Sequence, residues 1–198
     1  MTAAPDLAAL DASAAWAWLM AELRAACGSA RHGFHLFTVA TLGGDGRPDA
    51  RTVVLRHVDA DRREIRFHTD ARSPKAADLR RDPRLALHWY DPANRVQVRA
   101  AATATIHHGD DVAAAAWAAA QPMSRACYTS PTAPGTPIDD FLPAPAPPAP
   151  GDDLSLAHFA VVACRFDAIE LLALHASGHQ RALIHVRRHP VTWTVLAP

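Results

Sequence analysis

Short β-type runs alternate with turn signals along most of this chain. Residues 34–42 are apolar and β-rich, and Gly43-Gly-Asp-Gly46 follows them as a turn whose glycines accept positive φ. The pattern resumes over residues 51–58 as a return strand, so the two runs read as a hairpin. A polar turn at 59–62 leads to a third strand over 64–69, and further strands are predicted at 85–90 and 96–106. Near the C-terminus the same texture predicts strands at 157–166, 168–174, 181–187 and 191–196. Helices are fewer. Residues 12–27 carry Trp16, Leu19, Met20 and Leu23 at helical spacing, with Asp11 or Ser13 as cap and Gly28 as stop. Residues 73–80 predict a short helix capped by Ser73, with Pro74 at its permitted first position. Asp110 opens an alanine-rich helix that runs to Ala120. Residues 131–150 are rich in proline and poor in large apolar side chains, which predicts an extended or disordered loop.

Many short strands with few helices predict a mainly β fold, an antiparallel barrel with helical additions, in one domain covering the 198 residues. A doubly wound nucleotide fold is disfavoured, because strands do not alternate with long helices and no G-x-G-x-x-G is present. Basic and acidic residues balance at 20 each, which argues against nucleic acid as a partner. No run is apolar for the ~18–20 residues a membrane span needs, and no signal peptide is expected. The three cysteines, Cys27, Cys127 and Cys164, are too scattered for a disulfide framework or zinc ribbon, so a reducing cytoplasm is the expected location.

Lys75 is the single lysine among 20 basic residues. It follows a strand-like run ending in Phe67-His-Thr-Asp70, and Arg51-Thr-Val-Val-Leu-Arg56 lies upstream. Guanidinium forks and a compact ammonium are both suited to a phosphate dianion. Arg51 and Arg56 have opposite parity on a regular strand. Either the strand bulges, or one arginine wraps its edge, or Arg56 serves a different site. The twelve histidines form no metal-ligand pattern, so no metal site is expected, and Cys127 reads as an inert buried thiol without a base.

Gly46-Arg-Pro-Asp-Ala-Arg-Thr-Val-Val-Leu-Arg56, Phe67-His-Thr-Asp70, Ser73-Pro-Lys75 and Asp82-Pro-Arg-Leu-Ala-Leu87, taken in order with Gln97, His179-Gln-Arg181 and Leu196-Ala-Pro198, resemble the pyridoxamine 5′-phosphate oxidase family. The resemblance covers most of the chain outside residues 128–156. It implies a split β-barrel of the FMN-binding, flavin-reductase type. It also implies a homodimer holding FMN between subunits, with the N-terminal helix and a barrel face at the interface. The FMN set it implies is Arg51, Thr52, Val53, Val54, Leu55, Arg56, His68, Thr69, Ser73, Lys75, Gln97 and Arg181. Of these, Arg51, Thr69, Ser73 and Lys75 suit the phosphate, helped by the start of the helix at Ser73. His179 and Arg56 are the expected catalytic contacts of a small-molecule substrate.

The sequence departs from the family mostly where the vitamin B6 substrate is gripped. Arg56 stands for a lysine, Trp117 and Gln121 stand where a tyrosine and an arginine belong, and Ser177 replaces the first arginine of R-x-H-x-R. Within the FMN set, Pro74 replaces an arginine, His68 a tyrosine and Leu172 a tryptophan. A buried phosphate dianion without its arginines lacks partners. The expected function is therefore an FMN-dependent oxidoreductase acting on another small molecule, with an FMN carrier or sensor as the alternative and a true pyridoxamine 5′-phosphate oxidase behind both.

Overall fold

The computed structural model describes residues 5–149 and 153–198. Helix α1, Ala12–Gly28, opens on Asp11, whose carboxylate accepts from the Ala14 N–H at 2.7 Å. Leu19, Met20 and Leu23 are buried along one face, and Trp16 meets Phe166 edge-on at 6.3 Å. The apolar face of α1 is therefore covered by its own barrel.

Nine strands follow among the described residues: β1 Leu36–Leu42, β2 Pro48–Val54, β3 His57–Asp59, β4 Glu64–Asp70, β5 Arg84–Asp91, β6 Val96–His107, β7 Phe159–Ala173, β8 Gln180–His185 and β9 Thr192–Leu196. Every pairing is antiparallel, in the order β2-β1-β5-β6-β7-β4-β3, with β8 on the far half of β7 and β9 beyond it. The two ends of that path, β2 and β3, are joined by only Leu55 and Arg56. A linker so short forces the sheet to curl until its ends meet, and this closes the barrel. The backbone records the handover: Leu55 N–H still donates to His35 O at 2.9 Å, and Arg56 N–H already donates to Arg66 O at 2.9 Å.

The predicted return strand over 51–58 is thus two strands of one barrel, broken where the chain changes partners. The reverse holds at 157–174, where two predicted strands are the single long β7. A register shift between Ala101 and Ala102 of β6 leaves Asp167 outside the ladder. The Asp167 carboxylate is used instead by Thr103 Oγ1 at 2.9 Å and by Arg187.

Alternation decides what lies inside. In β5, Leu85, Leu87 and Trp89 point inward while His88 and Tyr90 point outward. Phe37 stacks on Trp89 at 4.6 Å between ring centroids and meets Phe67 edge-on at 6.1 Å. The first six residues of β7 are buried on both faces, because helix α3, Asp111–Ala119, covers the outer one. Asp110 caps α3 through the Ala113 N–H at 2.9 Å. Helix α2, Pro74–Arg81, lies across the rim near β1. The short helices α4, Pro122–Arg125, and α5, Asp153–His158, flank a segment over residues 131–149 with no helix or strand; the last residue of the predicted proline-rich loop is outside the described residues. No described helix is long and apolar enough to cross a membrane.

Phe37→Ala removes a ring from the centre of this aromatic stack and is expected to cost about 3–5 kcal/mol. Tyr90→Ala, on the outer face, should cost less than about 1 kcal/mol in the same urea-unfolding measurement.

Candidate functional site

The inward face of β4 and the start of α2 build a cationic cradle at the barrel rim. Lys75 Nζ donates to Thr69 Oγ1 at 3.2 Å, and the Thr69 and Ser73 hydroxyls lie 3.2 Å apart. Ser73 occupies the N-cap position of α2, yet its hydroxyl makes no bond to a helix N–H; it turns to Thr69 instead. Arg51 reaches the same rim from β2, donating from Nη1 to Thr41 Oγ1 at 2.8 Å and pairing with Asp49 through Nη2. Burial, and next the Arg51 charge, pull the Lys75 ammonium below its ordinary pKa, opposed by Asp70 and Asp49. Asp70 itself is held by Arg72, at 2.7 Å, which also donates to the carbonyls of Ser130 and Pro131 at 3.0 and 3.1 Å. Asp78 accepts from Thr41 and pairs with Arg81 at 3.3 Å. Lys75 has no carboxylate in salt-bridge range among the described residues. A half-buried ammonium next to a second cation, with two hydroxyls on the same side, is the donor set that an anion's oxygens match.

Arg56 and His68 belong elsewhere. His68 is adjacent to Thr69 on β4 and so faces outward, where a cavity of about 520 Å³ lies beneath α3. Arg56 enters it from the β2–β3 junction, His68 and Arg66 come from β4, and Cys27 at the end of α1 also lines it. Ala115, Ala116, Ala119 and Ala120 form the opposite wall, with Gln121 and Ser124 beyond. The parity conflict between Arg51 and Arg56 is resolved by the strand break, which leaves Arg56 lining the outward cavity. Burial, and next the Arg56 charge, hold the His68 imidazole down to about 4 from 6.5, so it is neutral near pH 7. Its ring packs edge-on against Phe159 at 4.8 Å, and Phe159 continues into Tyr128 and Trp117. Arg125 lies over the Trp117 ring at 5.3 Å.

The remaining predicted residues separate by side. Val53 shares the inward side of β2 with Arg51, whereas Thr52 and Val54 face out. The Leu55 side chain is fully buried in the core, which leaves only its backbone for the outer surface. Gln97 and Arg181 lie on the outer face of the sheet, in a cross-strand row Tyr90, Gln97, Leu172, Arg181, Leu196. Gln97 Oε1 lies 3.2 Å from His88 Nε2, and Arg181 pairs with Glu170 at 2.9 Å. His179 is exposed in the β7–β8 connection. Within one chain, then, Gln97 and Arg181 face the opposite side of the sheet from Arg51, so they do not share a site with it.

Sequence reading missed Thr41, Asp49 and Asp78 at the cradle and Arg66, His57 and Cys27 at the cavity. Arg66 was within reach, since it shares strand parity with His68. The alanine wall was too, because positions 111/112, 115/116 and 119/120 repeat at helical spacing. Cys127, expected buried, is exposed. No group of three or more potential metal ligands occurs among the described residues.

The depressed His68 pKa sets a pH dependence. The unfolded imidazole takes up a proton below 6.5 while the folded one resists until about 4, so stability falls as pH drops across that window. His68→Gln is expected to flatten this slope between pH 7 and 4.5, measured as the shift in urea midpoint relative to wild type.

A family model described as pyridoxamine 5′-phosphate oxidase matches residues 23–141, more than half of the chain. Among curated proteins, the pyridoxine/pyridoxamine 5′-phosphate oxidase of Cupriavidus metallidurans is 43% identical over 63 residues, 31% of this chain and 29% of that protein. The corresponding protein of Hyphomonas neptunium is 37% identical over 82 residues, 40% of this chain and 35% of that one. The matched stretches therefore span only about a third of these relatives. Among solved structures, a pyridoxamine 5′-phosphate oxidase-related, FMN-binding protein from Nostoc punctiforme matches along the whole of both chains, with TM-score 0.78 and 26% identity. PhzG from Burkholderia lata, solved with tetrahydrophenazine-1-carboxylic acid, shares the fold at TM-score 0.68 and 18% identity over 92% of each chain. With the strand order, the family model and the full-length structural match in agreement, the chain belongs to the pyridoxamine 5′-phosphate oxidase-like family of FMN-binding split barrels.

Proposed function

We propose that this protein is an FMN-dependent oxidoreductase acting on a small organic molecule. One observation carries the reading: Lys75 lies half-buried at the rim, without a carboxylate partner among the described residues, beside Arg51, Thr69 and Ser73. An FMN phosphate fits that donor set, because its negative charge relieves the repulsion between the two cations. Bound FMN would supply hydride transfer. The rim residues bind its phosphate, and the cavity at Arg56 and neutral His68, one residue along β4 from Thr69, receives the substrate.

The outward row Gln97, Leu172 and Arg181 supports a homodimer as the working form. These residues face away from the cradle of their own chain, so they serve a flavin only if it is held by a second copy. Tyr90 stands exposed at one end of that row, and Leu36 is exposed on the same outer face, which leaves apolar surface for the partner.

Purified protein is expected to bind about one FMN per chain, read from flavin absorbance. Lys75→Ala removes a charge-assisted contact and should weaken FMN about 10- to 100-fold. Arg72→Ala, whose partners are Asp70 and two loop carbonyls, should weaken it far less. Equal losses for the two variants would remove Lys75 from the site, and a chain that takes up no FMN would overturn the reading. Rapid reduction of the bound flavin by a nicotinamide donor marks an enzyme, whereas bound flavin that no donor reduces marks a carrier.

A further inference from the structure

The cavity under α3 has a distinctive charge pattern. Arg56 is its one guanidinium without a hydrogen-bonded or ion-paired partner among the described residues. Arg66 is already engaged, donating from Nε to Glu64 Oε1 at 2.8 Å. His68 is neutral near pH 7, and Gln121 and Ser124 are uncharged. Asp111, exposed at the first turn of α3, adds a negative charge to the lining. The side chains of the facing wall, Val112, Ala115, Ala116, Ala119 and Ala120, are all hydrocarbon, and Val161 of β7 adds another.

We infer that this cavity takes the carboxylate end of a small, flat, largely apolar organic acid, with Arg56 as its clamp, and discriminates against phosphate esters. The inference rests on reading the cavity as the substrate site of a flavoprotein. A guanidinium fork matches a carboxylate with two parallel hydrogen bonds and one neutralised charge. A phosphate dianion brings a second charge that meets no second unpaired guanidinium and is repelled by Asp111, with the exposed His57 as the other imidazole of the lining. Alanine side chains make a shallow wall without donors or acceptors, so the body of the ligand gains by burying carbon against it. A volume of about 520 Å³ is in the range of small-molecule sites and suits one or two rings.

Titration calorimetry and ligand-observed NMR on the full chain, with benzoate, phenyl phosphate and benzyl alcohol as probes, test this. The FMN-loaded protein keeps the cradle filled; in the FMN-free protein a Lys75→Ala background silences the cradle, so phenyl phosphate reports on the cavity alone. Benzoate is expected to bind about tenfold more tightly than either other probe. Arg56→Ala should weaken benzoate about tenfold while leaving benzyl alcohol within about twofold. Gln121→Arg, which adds a second free cation, should raise phenyl phosphate to parity with benzoate or beyond. Benzoate binding that ignores Arg56→Ala, phenyl phosphate binding wild type as tightly as benzoate, or no benzoate binding by either form overturns the inference. Failure to take up FMN sinks the flavoprotein reading instead, and benzoate binding to the FMN-free chain still reports on the cavity, so the two failures are distinguishable.

Discussion

Two residues, Leu55 and Arg56, connect the first and last strands of the sheet path, and the rest of the molecule is arranged around that constraint. A connection so short leaves no route except closure, and closure gives the sheet an inside and an outside. Leu55 turns inward and is fully buried. Arg56, one residue later, turns outward at the seam. The step thus supplies a core anchor and a cavity cation in succession.

Strand β4 divides the chemistry in the same way. Thr69 points inward to the rim, where Lys75, Ser73 and Arg51 converge, and His68 points outward beneath α3. The two sites differ in what stabilises them. At the rim, hydroxyls and cations gather without enough opposing charge, which favours an anion. In the cavity, burial and the Arg56 charge keep the histidine neutral, and carbon covers most of the wall. The aromatic chain from His68 through Phe159 to Tyr128 and Trp117 ties α3 to the strand beneath it, so the cavity roof is held by packing as well as by its cap at Asp110. The long β7 serves both regions, since its first half floors the cavity and its second half carries β8 and the outward row.

Alternation, turn chemistry and caps made most of the elements legible from sequence. The hairpin at Gly43–Gly46, the Asp11 and Asp110 caps, Pro74 at the first position of α2 and the inward-outward pattern of β5 all depend on neighbours a few residues away, and local signals carry that information. The residue types of the cradle were legible for the same reason, with Thr69, Ser73 and Lys75 lying within one strand-to-helix turn. What a local pattern does not carry is where a strand changes partner. The break at Leu55 and the fusion of β7 across Asp167 follow from pairings with distant strands, as does the turn of the Ser73 hydroxyl from its helix toward Thr69. The sequence by itself determined most of the strands, the Asp11 and Asp110 caps and the closeness of Thr69, Ser73 and Lys75. Only the tertiary structure decided that Arg51 and Arg56 serve opposite sides of a barrel wall and that Gln97 and Arg181 face away from the cradle, because the side on which a residue lies is set by how the sheet closes.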